Sequence, residues 1–392
     1  MKKERIEELT LFRAMAFLAI VLQHCIAEFI YRPEIMPKDS VMLAMLFHFT
    51  RFGTPTFIFI SGLLFFYNYY EKLNYRTFLI KRFQDILVPF IIWTGVYYTL
   101  MHGVWFLDFK AWQGYAHELI VPSSGYHLWF IVMIFQFYLL FPVFHFGVGA
   151  AHKRLKRLDA EREGTALGWG LAVLGLLFAG LLWLSYYVLP GLYARTDWAW
   201  LKTLINYRNL YFIFHAFYFV AGAAAALYLT RFRAFIRRSQ AWNLFLFAAV
   251  YIGMCYGVLS YSMDKMNLAV STYLKPSTFV LILSQQMIMY GIALKIAELK
   301  TRLFRVFHWI GTYSFGGFLA HPLAVWVLAP LTRSERFAGQ HLELTAFFYA
   351  AVVMLSLGLS CGASLLPFGR WMMGPSRPAA RSKRQERIKV EG

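Results

Sequence analysis

Runs of about twenty apolar residues recur from one end of this chain to the other, each long enough to cross the roughly 30 Å hydrocarbon core of a bilayer at 1.5 Å rise per residue. They place helices at 9–31, 45–68, 86–106, 127–149, 168–189, 210–229, 242–262, 277–297, 308–331 and 344–367. Inside a bilayer every backbone polar group must be paired internally, so such runs fold as helices. The expected fold class is therefore all-α, a polytopic integral membrane protein with about ten transmembrane helices. Composition agrees. Of 392 residues, 59% are hydrophobic and 15% charged, where a soluble domain carries about a quarter charged residues. The second and eighth runs are the least clean. "HFTRFGTPTFIFISG" opens on polar residues, and the eighth run carries Ser284, Gln285 and Gln286, which leaves nine or eleven spans open.

Charge placement sets the orientation, because Lys and Arg accumulate in cytoplasmic segments near span ends. With the N-terminus inside, segments 1–8, 71–85, 150–167, 230–241, 295–307 and 368–392 hold 27 of the 39 basic residues. The alternate segments 32–44, 107–126, 190–209, 263–276 and 332–343 hold 10, and only Arg13 and Arg51 stay within spans. Ten spans with both termini cytoplasmic fit this asymmetry.

The net charge of +19 would point to nucleic acid in a soluble protein. Here the basic residues form short clusters at helix ends, such as "HKRLKR" at 152–157 and "RFRAFIRR" at 231–238, so the expected partner is anionic lipid and not nucleic acid. The chain divides into a membrane domain, 1–368, and a polar, basic tail, 369–392, expected to be disordered in the cytoplasm. The start resembles a signal-peptide n-region, but the apolar run is too long and lacks a small-residue cleavage site, so it is expected to remain as the first helix.

Cys25, Cys255 and Cys361 all fall in predicted spans, which rules out a disulfide framework. Cys25 adjoins His24, but neighbouring helical residues point about 100° apart, so it reads as a packing residue. The sequence contains no C-x-x-C, H-E-x-x-H, glycine-rich phosphate loop or G-x-S-x-G. No metal site is expected.

The stretch "RAMAFLAIVLQH" sets Arg13 and His24 eleven positions apart, about three turns and roughly 16 Å along one stripe of the first helix. Arg13 falls at the cytoplasmic interface, where an arginine also snorkels without any other role. His24 lies deep in the span, and ionisable groups there face a polar interior or a pathway rather than lipid. Glu28, one turn on, is placed to orient the imidazole and stabilise an imidazolium, as a carboxylate does for a general base.

Arg followed by His in a first membrane helix resembles the signature of the acyltransferase-3 family, integral-membrane O-acyltransferases of cell-surface glycans. Four further stretches resemble that family in order. They are "GTPTFIFISGLLF" (53–65), "FLIKRFQDILVPFIIW" (78–93), "HLWFIVMIFQFYLLFPV" (127–143, with Trp129, Tyr138 and Pro142) and "YSFGGFLAHPLAVW" (313–326). The resemblance spans roughly residues 9–365. It implies transfer of an acyl group, usually acetyl, from cytosolic acyl-CoA (acetyl-CoA) to a glycan or lipid-linked saccharide hydroxyl across the plasma membrane. Acyl-CoA is then the donor substrate, with no tightly bound cofactor.

A hydroxyl attacking a thioester needs a base titrating near neutrality, and His24 is the candidate. The phosphates of acyl-CoA need Arg or Lys at the cytoplasmic face, for which Arg13, Lys81 and Arg82 are the candidates. Lys81 and Arg82 read equally as a plain positive-inside anchor. The family's basic segment often carries a further arginine after the pair, whereas Gln84 and Asp85 follow Arg82 here. His48 and Arg51, at i and i+3, share a face expected to meet the glycan. His321, before Pro322, is a candidate substrate contact or second acid/base, although a histidine there also satisfies the turn that a proline opens. Trp129 and Tyr138 are expected to pack and orient substrate. "AGAAAAL" (221–227) reads as a close helix contact through small residues.

A rival reading is polysaccharide export, described for some members of that family. The incomplete basic segment favours export, and His24 with Glu28 favours catalysis. No soluble domain is expected after the tenth span, so an enzyme of this kind either acylates the glycan directly or hands the acyl group to an extracytoplasmic partner protein.

Overall fold

The computed structural model describes residues 5–104, 109–261, 268–333 and 339–375. Among them there is no strand, and the helices follow in order as α1 (Glu7–Phe29), α2 (Pro37–Phe49), α3 (Gly53–Tyr69), α4 (Tyr75–Arg82), α5 (Val88–His102), α6 (Phe109–Glu118), α7 (Trp129–Leu139), α8 (Phe141–Leu155), α9 (Ala160–Trp183), α10 (Leu189–Arg195), α11 (Ala199–Asn206), α12 (Ala216–Leu227), α13 (Leu229–Tyr261), α14 (Pro276–Leu299), α15 (Arg302–Leu328), α16 (His341–Ser364) and α17 (Gly369–Met373). Single π-turns join α4 to α5 and α9 to α10.

Local chemistry sets several boundaries. Asn74 caps α4 by accepting from the Thr77 N–H, and Asp159 caps α9 by accepting from Arg162. Proline stands at the start of α2 and α14, where its missing N–H costs no hydrogen bond. Gly103 ends α5 in the left-handed region at φ 62°. Pro142 lies just past the 58° bend between α7 and α8, where it cannot continue the preceding hydrogen-bond ladder.

The protein is an all-α polytopic membrane protein. Every expected span falls on helix, but the count of ten exceeds what length and apolarity alone give. Among the described residues seven helical runs are long and apolar enough to cross a membrane, or eight if the bent pair α7–α8 is one span. The other two expected spans, 86–106 and 210–229, fall on α5 and α12, of 15 and 12 residues. Residues 105, 106 and 262 of the expected spans lie outside the described residues.

Helix α1 lies at the centre, packed on α3, α14, α15 and α16. A helix apolar all round belongs in such a place. Small residues allow the tightest approaches. A Cβ on Gly62 would sit 2.1 Å from the Phe219 carbonyl oxygen, and one on Gly222 would sit 2.1 Å from that of Phe59. The 221–227 stretch therefore makes the close contact expected of it, backbone to backbone against α3. Cys25, Cys255 and Cys361 are free thiols, the first two buried.

The expected tail boundary at 368 falls just before α17. This short helix is docked, with the Trp93 indole N–H donating to the Met372 carbonyl at 2.9 Å. Residues 376–392 of the expected tail lie outside the described residues.

Candidate active site

On the face of α1 near its N-terminal end, Arg13 opens onto a cavity of about 240 Å³. Arg82 and Asp85 line the same cavity, with Ser61, Tyr138, Phe57 and Phe130. Arg82 lies over the rings of Phe65 and Phe78 at 5.3 and 5.5 Å, and its buried Nε has no hydrogen-bond partner among the described residues. Asp85 is taken up by Arg370 of α17 at 2.5 Å. The two lining arginines thus keep their charge for an anion.

Three turns along α1, His24 meets His321, which in turn meets His127. The His24 ring centroid lies 5.1 Å from that of His321 on α15 and 4.8 Å from that of Tyr126. His321 lies 5.0 Å from His127, in the turn that opens α7. His321 Nδ1 is 2.6 Å from the Phe318 carbonyl oxygen, which can only accept, so Nδ1 carries the proton and Nε2 a lone pair. That Nε2 has no partner among the described residues, and neither nitrogen of His127 makes a well-formed hydrogen bond there. The His24 and His321 rings meet tilted, and those of His127 and His321 meet edge to face. Among the described residues no set of three or more His, Cys, Asp or Glu is arranged to hold a metal ion.

A layer of phenylalanines separates the two regions. Phe57 and Phe130 line the arginine cavity, and Phe318 touches both, with centroids 6.4 and 5.9 Å away. On its other side Phe318 packs on His127 and His321, at 5.1 and 5.7 Å. A slender group leaving the arginine cavity for the histidines would pass this layer.

The remaining candidates lie elsewhere. Glu28 does not engage His24. It pairs with Arg32 at 3.1 Å, and Arg32 is in turn held by the Thr332 hydroxyl and carbonyl. Lys81 is exposed on α4 and does not line the cavity. His48 and Arg51 do share a face, but it is covered. His48 Nδ1 is 2.6 Å from the Ser271 hydroxyl, and Arg51 donates to the Ser271 carbonyl at 2.8 Å while lying 3.8 Å over the Tyr273 ring. Arg51 also donates to Gln23, the residue before His24. Trp129 packs between His215 and Tyr273, at 5.9 and 6.4 Å. Tyr138, 3% exposed, lines the arginine cavity.

Sequence reasoning missed His127, Tyr126 and Arg370. His127 opens the stretch quoted as 127–143, just ahead of its Leu-Trp-Phe run, and could have been found as another histidine at a predicted span edge. Arg370 had no such signal, since it lay in the segment expected to be disordered.

Comparison with known proteins gives a consistent picture. The acyltransferase domain family model matches residues 6–365. Probable poly-beta-1,6-N-acetyl-D-glucosamine export proteins of Staphylococcus aureus, strains MRSA252 and N315 among them, are 26% identical over 376 residues, covering 93% of each chain. The putative membrane-bound acyltransferase YfiQ of Bacillus subtilis is 28% identical over 226 residues, 52% of this chain and 60% of its own. No solved structure matches. With the match running across nearly its whole length, the chain belongs to the acyltransferase-3 family of membrane proteins.

Proposed function

We propose that the protein is a plasma-membrane O-acyltransferase that moves an acyl group, in the simplest case acetyl, from cytosolic acyl-CoA to a hydroxyl of an extracytoplasmic cell-wall or capsular glycan. The observation that carries this reading is the pair of sites strung along α1. Arg13 opens into a cavity with Arg82, and His24 joins a cluster of histidines three turns further on. The cavity, at about 240 Å³, suits the pantetheine arm of the donor, while a nucleotide stays at the surface. Compact drug-sized sites begin at roughly 300 Å³. Arg13 and Arg82 hold the diphosphate that joins this arm to the nucleotide, and the thioester end passes the Phe57, Phe130 and Phe318 layer to the histidines.

There the acceptor oxygen attacks the thioester carbon while His24 takes the hydroxyl proton. The carbon–sulfur bond then breaks, and the imidazolium returns that proton to the departing thiolate. The products are the glycan ester and free CoA thiol. Basic clusters such as 152–157 rest on anionic lipid headgroups.

The name of the staphylococcal relatives favours a second reading, export of a polysaccharide. His24→Gln separates the two, because glutamine keeps polarity and approximate size but has no titratable proton near neutral pH. The variant, present in the membrane in normal amount, is expected to leave the surface glycan exported and unacylated, with at least the 10²–10⁴-fold loss typical of a missing general base. Normal ester content per sugar combined with failed export would transfer the assignment to transport.

A further inference from the structure

We infer that His127 is a catalytic residue of this site, whose ring N–H binds the carbonyl oxygen of the acyl group as it becomes an oxyanion. The inference rests on the acyltransferase reading above. His127 is 3% exposed, held edge-on by Tyr97, Phe318 and His321 at 5.4, 5.1 and 5.0 Å. Tyr97 does not use its hydroxyl on this ring, since it donates to the Leu319 carbonyl at 2.6 Å. A neutral imidazole carries one N–H donor and one acceptor nitrogen. Both His127 nitrogens are buried and make no well-formed hydrogen bond among the described residues, and the Leu319 carbonyl beside the ring is already taken by the Tyr97 hydroxyl. Buried polar groups of native proteins are nearly always paired, so an orphaned pair calls for an explanation.

The neighbouring ring supplies it. His321 is fixed by the Phe318 carbonyl with its proton on Nδ1, so it turns a lone pair into the cluster. His127 is the ring left to donate. A thioester carbonyl arriving past Phe318 meets His127 and His321 on that residue's far face, with His24 5.1 Å beyond His321. In the step written above, the electron pair of the forming carbon–oxygen bond pushes negative charge onto the carbonyl oxygen, where a fixed donor acts most strongly. When the carbon–sulfur bond breaks, the oxygen's electron pair re-forms the carbonyl and the negative charge leaves on the thiolate, so His127 donates throughout and exchanges no proton.

The test uses the full-length protein in membrane vesicles from cells that make the glycan, supplied with labelled acetyl-CoA. Label reaching the vesicle glycan is followed against donor concentration and pH. His127→Leu removes the donor at similar volume. It is expected to lower the maximal rate about 10²–10³-fold, the range for loss of one oxyanion donor, with the apparent KM for acetyl-CoA unchanged. His127→Asn keeps an N–H and is expected to recover part of that rate with the wild-type pH profile. An undiminished rate in His127→Leu overturns the inference, as does a shifted pH profile in His127→Asn, which would make His127 a base. No label transfer by the wild-type protein would defeat the acyltransferase reading itself, and this one with it.

Discussion

Asp85 and Arg370 stand 285 positions apart and meet as an ion pair, with Arg370 Nη2 2.5 Å and Nε 3.0 Å from one carboxylate oxygen. Asp85 is buried and Arg370 half exposed, at 3% and 56% of their side-chain surfaces. The pair ties α17 to the wall of the arginine cavity and cancels a negative charge that would oppose a phosphate. Arg370→Ala leaves that carboxylate unpaired. It is expected to cost about 2 kcal/mol, between the small worth of exposed pairs and the larger loss on breaking buried ones. Adding Asp85→Asn is expected to recover most of it. Thermal unfolding of the wild-type, single-variant and double-variant proteins in detergent reads both effects.

The two cavity arginines are expected to govern donor affinity, and Lys81 is not. Alanine at Arg13 or Arg82 removes a charge-assisted contact of about 1.5–3 kcal/mol, so CoA binding by calorimetry weakens roughly tenfold or more. Lysine rescues in part, because it keeps the charge and loses the fork. Lys81→Ala is exposed and off the cavity, so it binds CoA as the wild-type protein does. A loss at Lys81 equal to that at Arg82 would move the phosphates out of this cavity and onto the surface of α4.

Phe130 tests the aromatic layer. Tryptophan there adds bulk between the rings of Phe57 and Phe318 without touching a charge. Overpacking of this kind costs about 1–3 kcal/mol, and the expected result is slower acyl transfer with CoA affinity preserved. Equal loss of both would mean that the layer shapes the donor cavity and does not lie on the path beyond it.

Glycine positions divide sharply by surroundings. Gly222→Ala drives a methyl group into the Phe59 carbonyl, so α3 and α12 must separate, and a fall of about 1–3 kcal/mol in stability is expected. Gly180→Ala on α9 meets nothing within 4 Å and gains helix propensity, up to about 1 kcal/mol. Unfolding temperatures in one detergent should move in opposite directions.

Periodicity along one helix was enough to bring Arg13 and His24 to one face and to mark where helices lie, because both depend on local geometry. What depended on distant chain could not be read that way. Glu28 faces His24 by spacing, yet Arg32, anchored by Thr332, takes its carboxylate. His48 and Arg51 share a face by spacing, and Ser271 and Tyr273 close over it. Asp85 reads in sequence as a defect in a basic segment, and Arg370 arrives from far downstream to offset it. In each case the deciding partner is brought by tertiary packing, which leaves no trace in the spacing of the residues it meets.

Topology rests on the two short helices. Phe212–His215 is a 3₁₀ turn leading into the 12 residues of α12, together about 26 Å at 2.0 and 1.5 Å per residue, close to the roughly 30 Å core. Helix α5 continues α4 through one π-turn, so Tyr75–His102 forms a single run far longer than α5 alone. Both are long enough to cross when so extended, and the bias of basic residues leads to the expectation that they do. Fusions of a reporter active only in the cytoplasm are therefore expected to work after residues 160 and 235 and to fail after 115 and 200. Activity after both 200 and 235 would show that α12 does not cross. In that case α13 would run outward from the same side as residue 200, and the ten-span arrangement with both termini inside would have to be redrawn.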